Sequence, residues 1–401
     1  MKYNKLSIED VDLDGRTVIV RVDFNVPLRD GQVENDKRIR ESLRTIRYLM
    51  DHRARTVLMS HLGRPRGKVS PEFSLAPVAA RLTELLEIPV GFVSACIGEE
   101  VQSRIKALQA GDVLLLENLR FHAEEEANDP NFAAELARGI EIYVNDAFGT
   151  AHRAHASTEG ITHHVKQAAA GFLMQKELNF LGAAIAEPKR PFVGIIGGAK
   201  VSGKIDMIEN MLPRVDKLLI GGGMTYTFMK AQGYEIGKSL IEEDKVDLAY
   251  DILWVGGQKI ELPMDFLVSD HFDFKERTVG SLHTVIFDHI PPDAMALDIG
   301  PNTVERYWDT LMDAGTIVWN GPMGVFEIES LAGGTFAIAQ ALADATAKGA
   351  TTIIGGGDSA AAIEQANLAD RVSHVSTGGG ASLEFLEGKA LPGVLALTDR
   401  S

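Results

Sequence analysis

The sequence predicts an α/β protein of two domains built on largely parallel sheets, and three observations carry that expectation. Apolar strand-like runs alternate with segments of helical period along all 401 residues, the pattern left by strands joined through crossover helices. That length suits about two domains at ~100–200 residues each, and 45% hydrophobic content with mixed charge lets both bury a core. Glycine runs crowd the second half while arginines mark the strand ends of the first, so the halves share a scheme and differ in chemistry.

In the first half the strand candidates are 17–24, 55–60, 90–94, 112–117 and 140–145. Between them Leu43, Ile46, Leu49 and Met50 mark one helical face, and Val78, Leu82, Leu85 and Leu86 another. The second half places strands near 192–196, 217–220, 296–299, 315–319 and 351–354, each running into a glycine-rich turn. Lys176 to Ala186 carries Leu178, Leu181 and Ile185 at helical spacing, with no strand between it and the irregular, His-rich stretch before it. It reads as an interdomain helix.

A formal charge of −16 argues against generic nucleic-acid or anionic-membrane binding, which needs a basic surface. Any anionic partner must be met by locally placed arginines. The single cysteine, Cys96, excludes an internal disulfide. Met1-Lys2-Tyr3-Asn4-Lys5 leads into no apolar signal segment, and no apolar stretch approaches ~18 residues, so the cytoplasm is the expected address.

Thr17-Val18-Ile19-Val20 read as a buried strand, and ligands of parallel sheets collect beyond the strands' carboxyl ends. Asp23 and Asn25 lie there on one side, suited to a polyol or hydroxy acid, or equally to capping the strand end. Arg38 stands further along, and Arg64 in Ser60-His61-Leu62-Gly63-Arg64, Arg120 in Glu117-Asn118-Leu119-Arg120 and Arg153 in His152-Arg153-Ala154-His155 follow or adjoin predicted strands. Folding a parallel sheet would bring their tips to one edge, where guanidinium forks match carboxylate and phosphate oxygens.

In the second half Gly197-Gly198, Gly221-Gly222-Gly223, Gly355-Gly356-Gly357 and Gly378-Gly379-Gly380 fall at strand ends. There they would let backbone amides approach a ligand, with a following helix lending positive dipole to phosphate. Gly198 to Ile205 matches a P-loop as far as its Gly-Lys, but Ile205 replaces the hydroxyl that would hold magnesium. Lys200 and Lys204, four apart, would share a face if the helix has begun, and could meet polyphosphate. Gly355 to Ala360 fits a loose dinucleotide pattern, yet the acidic ribose partner is missing from Val372-Ser373-His374-Val375. Asp358 could cap the helix or hold a hydrated magnesium ion.

Taken in order, Arg21-Val22-Asp23-Phe24-Asn25-Val26-Pro27, Ser60-His61-Leu62-Gly63-Arg64-Pro65, Leu116-Glu117-Asn118-Leu119-Arg120-Phe121, Ala147 to His155, Gly197-Gly198-Ala199-Lys200-Val201, Trp319 to Glu327 and Gly355 to Ser359 closely resemble the phosphoglycerate kinases. The resemblance spans the whole length, and Ser359 stands where threonine also occurs in the family. It implies two Rossmann-like domains and reversible transfer of the acyl phosphate of 1,3-bisphosphoglycerate to ADP, giving 3-phosphoglycerate and ATP with magnesium. It further implies a first domain over 1–172 binding the acid, an interdomain helix over 173–188, a nucleotide domain over 189–388, and a tail over 389–401 packing back on the first domain.

By the same resemblance Asp23 and Asn25 hold the glycerate end, His61, Arg64, Arg120 and Arg153 clamp the distal phosphate, and Arg38 neutralises charge at the reacting end. Lys204 and Asn320 meet the nucleotide phosphates with Gly356, Gly357 and Ser359, Asp358 the magnesium ion, and Glu327 the ribose. Adenine lies near Gly221, Gly222 and Leu297. Lys200 accompanies the transferred group, and Thr377, Gly378 and Gly379 offer it amides on domain closure. A monomer with no nucleic-acid or membrane partner is expected. The competing readings are a P-loop-like hydrolase using the second half alone and a nucleotide-binding regulatory module without turnover.

Overall fold

Every residue of Thr17–Val22 is buried, as a strand covered on both faces requires. The computed structural model describes residues 4–400 and divides the chain into two compact units, one of Phe180–Lys389 and one of residues up to Asn179 together with those from Ala390 on. The division falls within the helix Phe172–Ala186.

The first unit holds a six-stranded sheet in the order Val90–Val93, Val113–Leu116, Arg55–Met59, Thr17–Val22, Ile142–Asp146, Gln167–Ala170. All its pairings are parallel. Four neighbouring strands therefore end at the same edge, and they are the four whose following loops carry Asp23, His61, Arg120 and Arg153. Helix Lys37–Asp51 buries Ile39, Leu43, Ile46 and Leu49 at helical spacing, and Ala76–Leu86 buries Val78, Leu82 and Leu86. The chain end joins this unit through Leu6 N to Thr398 O at 2.8 Å and Thr398 N to Ala168 O at 2.9 Å.

Gln167–Ala170 corrects the expectation that no strand precedes the interdomain helix. Its run of alanines has little β-propensity, and pairing imposes the conformation: it lies parallel to Ile142–Asp146 and bridges to Ser7. The helix then starts at Phe172, where the Asp146 carboxylate accepts Leu173 N at 2.8 Å and Met174 N at 3.3 Å.

The second unit repeats the parallel scheme with Ile260–Glu261, Lys217–Ile220, Phe192–Ile196, Thr316–Asn320, Thr351–Gly355 and His374–Val375. Met295–Ile299 does not belong to it. That strand forms an edge of a separate antiparallel sheet, with Asp265–Ser269 in the centre and Leu282–Ile286 on the far side. A short apolar run looks alike in either setting, which is why the sequence placed it with the parallel strands.

Asp146→Ala leaves two helix-entry amides without their acceptor, and an N-cap of this kind contributes ~1–2 kcal/mol. Urea unfolding of the variant is expected to show that loss, and an unchanged midpoint would mean that the cap does not hold the helix.

Candidate functional site

Arg21, the next-to-last residue of its strand, is 1% exposed and fully engaged. Its Nε donates to Ser157 Oγ at 2.8 Å, its Nη1 to Val22 O at 2.6 Å, and its Nη2 meets His61 Nδ1 at 3.2 Å. Buried Glu125 accepts Ser157 N at 2.9 Å and Ser157 Oγ at 2.5 Å, so cation and carboxylate are bridged by one hydroxyl. Burial raises the Glu125 pKa, and the Arg21 charge opposes that rise. A guanidinium only donates, so His61 Nδ1 must accept and the proton belongs on Nε2. Burial, then the charges of Arg21, Arg120 and Arg38, push the His61 pKa well below its ordinary value. His61 is a neutral donor within a cationic cluster.

Around it Arg38 Nη1 donates to Asp23 Oδ2 at 2.8 Å, and Asn25 Oδ1 accepts Gly63 N at 2.9 Å, leaving the Asn25 amide nitrogen as a donor. Arg120 is buried, with Nη1 on Gly63 O at 2.8 Å and Nε 3.4 Å from Glu126 Oε1. Arg64 and Arg153 are exposed, and Arg153 Nε donates to His152 Nε2 at 3.1 Å. Burial followed by the fields of Arg21, Arg120 and Arg153 drives His155 down to about 4. Arg21, Arg38, Arg120 and Arg153 thus share one positive field, suited to a compact polyanion, while Arg64 extends exposed from the His61 loop.

In the second unit a cavity of about 560 Å³ is walled by Ala199, Tyr226, Leu240, Phe272, Leu297 and Val325, with Gly222, Glu327 and Asp358 also on its lining. Apolar walls with a few polar groups suit a flat heterocycle carrying a charged tail. Gly221 lies behind this wall: a Cβ there would come 2.4 Å from Met323 Sδ.

The glycine turns correct one expectation. Gly197 N donates to Asn320 O at 2.9 Å, Gly198 N to Pro322 O at 3.0 Å and Gly222 N to Met323 O at 2.9 Å, so these amides serve the protein and not a phosphate. The glycines are needed for close backbone approach: at Gly321, with φ +96°, a Cβ would fall 2.1 Å from Gly197 O. The Gly355–Gly357 turn behaves differently. Gly356, with φ +90°, precedes helix Gly357–Gln365, whose first amides receive no side-chain cap. Asp358 in that first turn is exposed and does not cap it.

Lys204 Nζ donates to Asn320 Oδ1, and Asn320 Nδ2 to Gly355 O at 2.8 Å, so buried Asn320 spends its amide orienting the lysine. Burial lowers the Lys204 pKa against the raising fields of Asp358 and Glu387. Helix Ile205–Met211 begins only after Lys204, so Lys200 and Lys204 do not share a helical face; Lys200 is exposed in the preceding turn. Ser359 Oγ is buried and accepts Gly321 N at 2.5 Å. Gly378 N donates to Ser376 Oγ at 3.2 Å, while Thr377 and Gly379 are half-buried, and Gly379 precedes helix Gly380–Leu386. No group of three His, Cys, Asp or Glu side chains is placed to hold a metal ion among the described residues.

The sequence profile of the phosphoglycerate kinases matches residues 8–389. A phosphoglycerate kinase of Chlorobium chlorochromatii (strain CaD3) is 59% identical over 400 residues, covering 98% of this chain and 100% of the relative. One from Chlorobaculum tepidum is 58% identical over 399 residues, covering the same shares. The chain belongs to the phosphoglycerate kinase family. Among solved structures, the phosphoglycerate kinase of Coxiella burnetii superposes with a TM-score of 0.90 at 42% identity, and that of Pyrococcus horikoshii OT3 with 0.80 at 35% identity, each covering 98% of both chains.

For a phosphoglycerate kinase, the residues that sequence reasoning passed over are those holding the clamp. Asn118 Oδ1 accepts Leu62 N at 3.1 Å and Arg120 N at 3.0 Å, and its Nδ2 donates to Leu62 O at 2.7 Å, locking the His61 and Arg120 loops together. Arg21, Glu125 and Ser157 form the other tie. Arg21 did leave a signal, since a charge between Val20 and Val22 in a strand buried on both faces must be compensated.

The histidines set a pH dependence. An unfolded His155 protonates near pH 6.5, whereas the folded ring resists until about 4. The unfolded state therefore binds more protons in that interval, and stability falls as pH drops through it. His155→Gln should show a shallower decline of thermal midpoint between pH 6.5 and 4.5 than the parent; parallel profiles would refute the assignment.

Proposed function

We propose that the site residues divide the phosphoglycerate kinase reaction between the two units, the first taking the phosphorylated acid and the second the nucleotide. The observation carrying this reading is the cationic cluster around neutral His61 in one unit, matched by the cavity with Lys204 and Asp358 in the other. As a kinase of this family the enzyme transfers the acyl phosphate of 1,3-bisphosphoglycerate to ADP, reversibly, as a step of glycolysis.

In the ATP-consuming direction the attacking atom is a carboxylate oxygen of 3-phosphoglycerate. It is ionised near neutral pH with a pKa of roughly 4, so no general base is required. The oxygen forms a bond to the γ-phosphorus, the bond to the ADP oxygen breaks, and ADP leaves with the electron pair. Catalysis then rests on position and charge. Asp23 and Asn25 hold the glycerate end, and His61 through Nε2–H, Arg64, Arg120 and Arg153 hold the distal phosphate. Arg38 and Lys200 neutralise the group in flight, aided by amides at Thr377 and Gly379, the Gly378 amide being taken by Ser376 Oγ.

Glu327 meets the ribose, Leu297 and Gly222 border the adenine with Gly221 behind them, and Lys204, oriented by Asn320, meets the phosphates beside the amides of Gly356 and Gly357. Asp358 suits a magnesium ion that arrives with the nucleotide, because magnesium is commonly bound by one or two carboxylates plus substrate phosphates and water. Such an ion would neutralise phosphate oxygens. Ser359 acts indirectly by fixing the Gly321 turn. Both halves of the chemistry reside in one chain, so a monomer suffices. No helix of the described residues is long and apolar enough to cross a membrane, which agrees with a cytoplasmic place.

ATP should be consumed rapidly with magnesium and 3-phosphoglycerate and negligibly without the acid; hydrolysis indifferent to the acid would support a nucleotide hydrolase. Arg38→Ala and Lys200→Ala should lower kcat by about 10²-fold or more with little change in KM, whereas Arg64→Ala and Arg153→Ala should chiefly raise KM for the acid. A uniform binding defect in all four would contradict the division of roles. Transfer also needs reacting atoms about 3–3.5 Å apart, which motivates closure about the ends of helix Phe172–Ala186 and the Thr377–Gly380 turn. Small-angle scattering should give a smaller radius of gyration with both substrates than with neither.

A further inference from the structure

The loop after strand Arg55–Met59 holds three cations at alternate positions, Arg64-Pro65-Arg66-Gly67-Lys68. All three are exposed, and none of their side chains has an ion-pair or hydrogen-bond partner among the described residues. Exposed arginines elsewhere in this unit, such as Arg16, Arg29, Arg40, Arg53 and Arg138, each sit against a carboxylate. The loop is also held in place. Gly67 N donates to Arg120 O at 3.1 Å, and a Cβ on Gly67 would come 3.0 Å from Ala123 Cβ. Arg66 and Lys68 therefore flank a residue that is tied to the backbone of Arg120.

Resting on the assignment of the phosphorylated acid to this edge, we propose that Arg66 and Lys68 form an outer rung of the anion site. They draw the acid toward Arg64 and Arg120 and let go of it before the reaction. The need follows from charge: a protein of net −16 repels a substrate bearing a carboxylate and a phosphate, unless unpaired cations reverse the local field. The exposed arginines Arg16, Arg29, Arg40, Arg53 and Arg138 have a carboxylate beside them that offsets their charge at a distance, whereas the side chains of this loop have none.

The test is the salt dependence of turnover by the full-length enzyme carrying R66Q/K68Q, against the charge-matched control K106Q/K166Q. Lys106 ends the helix that leads to strand Val113–Leu116 and Lys166 precedes strand Gln167–Ala170, so both lie toward the opposite edge of the sheet. At about 20 mM ionic strength, kcat/KM for 3-phosphoglycerate should fall about 3–10-fold in R66Q/K68Q, with kcat and the KM for magnesium-ATP unchanged. The deficit should vanish near about 0.5 M salt, where the Debye length is only about 4 Å. R66E/K68E should deepen the low-salt loss, and the control should match wild type. A deficit that survives high salt, appears in kcat, or is equalled by K106Q/K166Q would overturn the proposal, as would no deficit at all. Wild type that fails to consume ATP with 3-phosphoglycerate would instead remove the functional reading, and this inference with it.

Discussion

A guanidinium does not lose its proton in a protein, so Arg21, 1% exposed, has to be compensated where it stands. The rest of the cationic cluster is arranged around that necessity. Ser157 passes the charge to Glu125, and His61 offers a lone pair because every alternative would set a second proton against the guanidinium. One cation thereby ties the end of strand Thr17–Val22 to the loop after Arg55–Met59, to helix Ala123–Glu126 and to the turn at Ser157. Removing one partner of such a buried group leaves a charge unpaired, at a cost of roughly 3–5 kcal/mol. The cluster is rigid because its alternatives are expensive.

The second unit reaches precision by the opposite route. Its strand ends are joined backbone to backbone, through Gly197, Gly198, Gly222 and Gly321, with no fixed charge in the joint. Those glycines bring turns close enough for their carbonyls to take the amides, and the charge beside them is that of Lys204, held through Asn320, with the uncapped start of helix Gly357–Gln365. A nucleotide with its cation changes charge and shape between ATP and ADP. Backbone dipoles and a lysine on a flexible stem tolerate that change better than a network of buried ions.

The parallel strands were legible because continuous apolar runs bounded by turn residues have few other uses. Gln167–Ala170 was not, since its alanines acquire their conformation from the neighbouring strand and from Ser7. Met295–Ile299 was found as a strand but set in the wrong sheet, because direction is decided by partners far along the chain. At the site, exposed or half-exposed groups such as Arg38, Lys200, Glu327 and Asp358 stood out by type and position. Glu125 and Ser157 did not: a carboxylate in Ala123-Glu124-Glu125-Glu126 reads as a solvated face, and only the fold shows that the middle one points inward. At Gly197, Gly198 and Gly222 the amides expected to face a ligand take carbonyls of the protein instead, because a tight turn and a phosphate cradle use the same residue.

The protonation states fit a reaction that moves phosphoryl groups without a proton passing through the enzyme. His61 and His155 titrate well below neutrality because burial and the surrounding arginines both oppose a further positive charge. The arginines stay charged. Asp298, raised to about 7 by burial, accepts Gly334 N in the other unit and is absent from the cavity lining. The charge contributed by His61, His155 and the arginines about them is therefore set by folding. On the division of roles proposed above, constancy matters because the field would supply the binding energy directly, and protonating either histidine would change the potential of the cluster. An enzyme relying on a general base needs a group poised to titrate near neutrality. One relying on fixed charge is better served by groups prevented from doing so, and burying histidines among arginines accomplishes that.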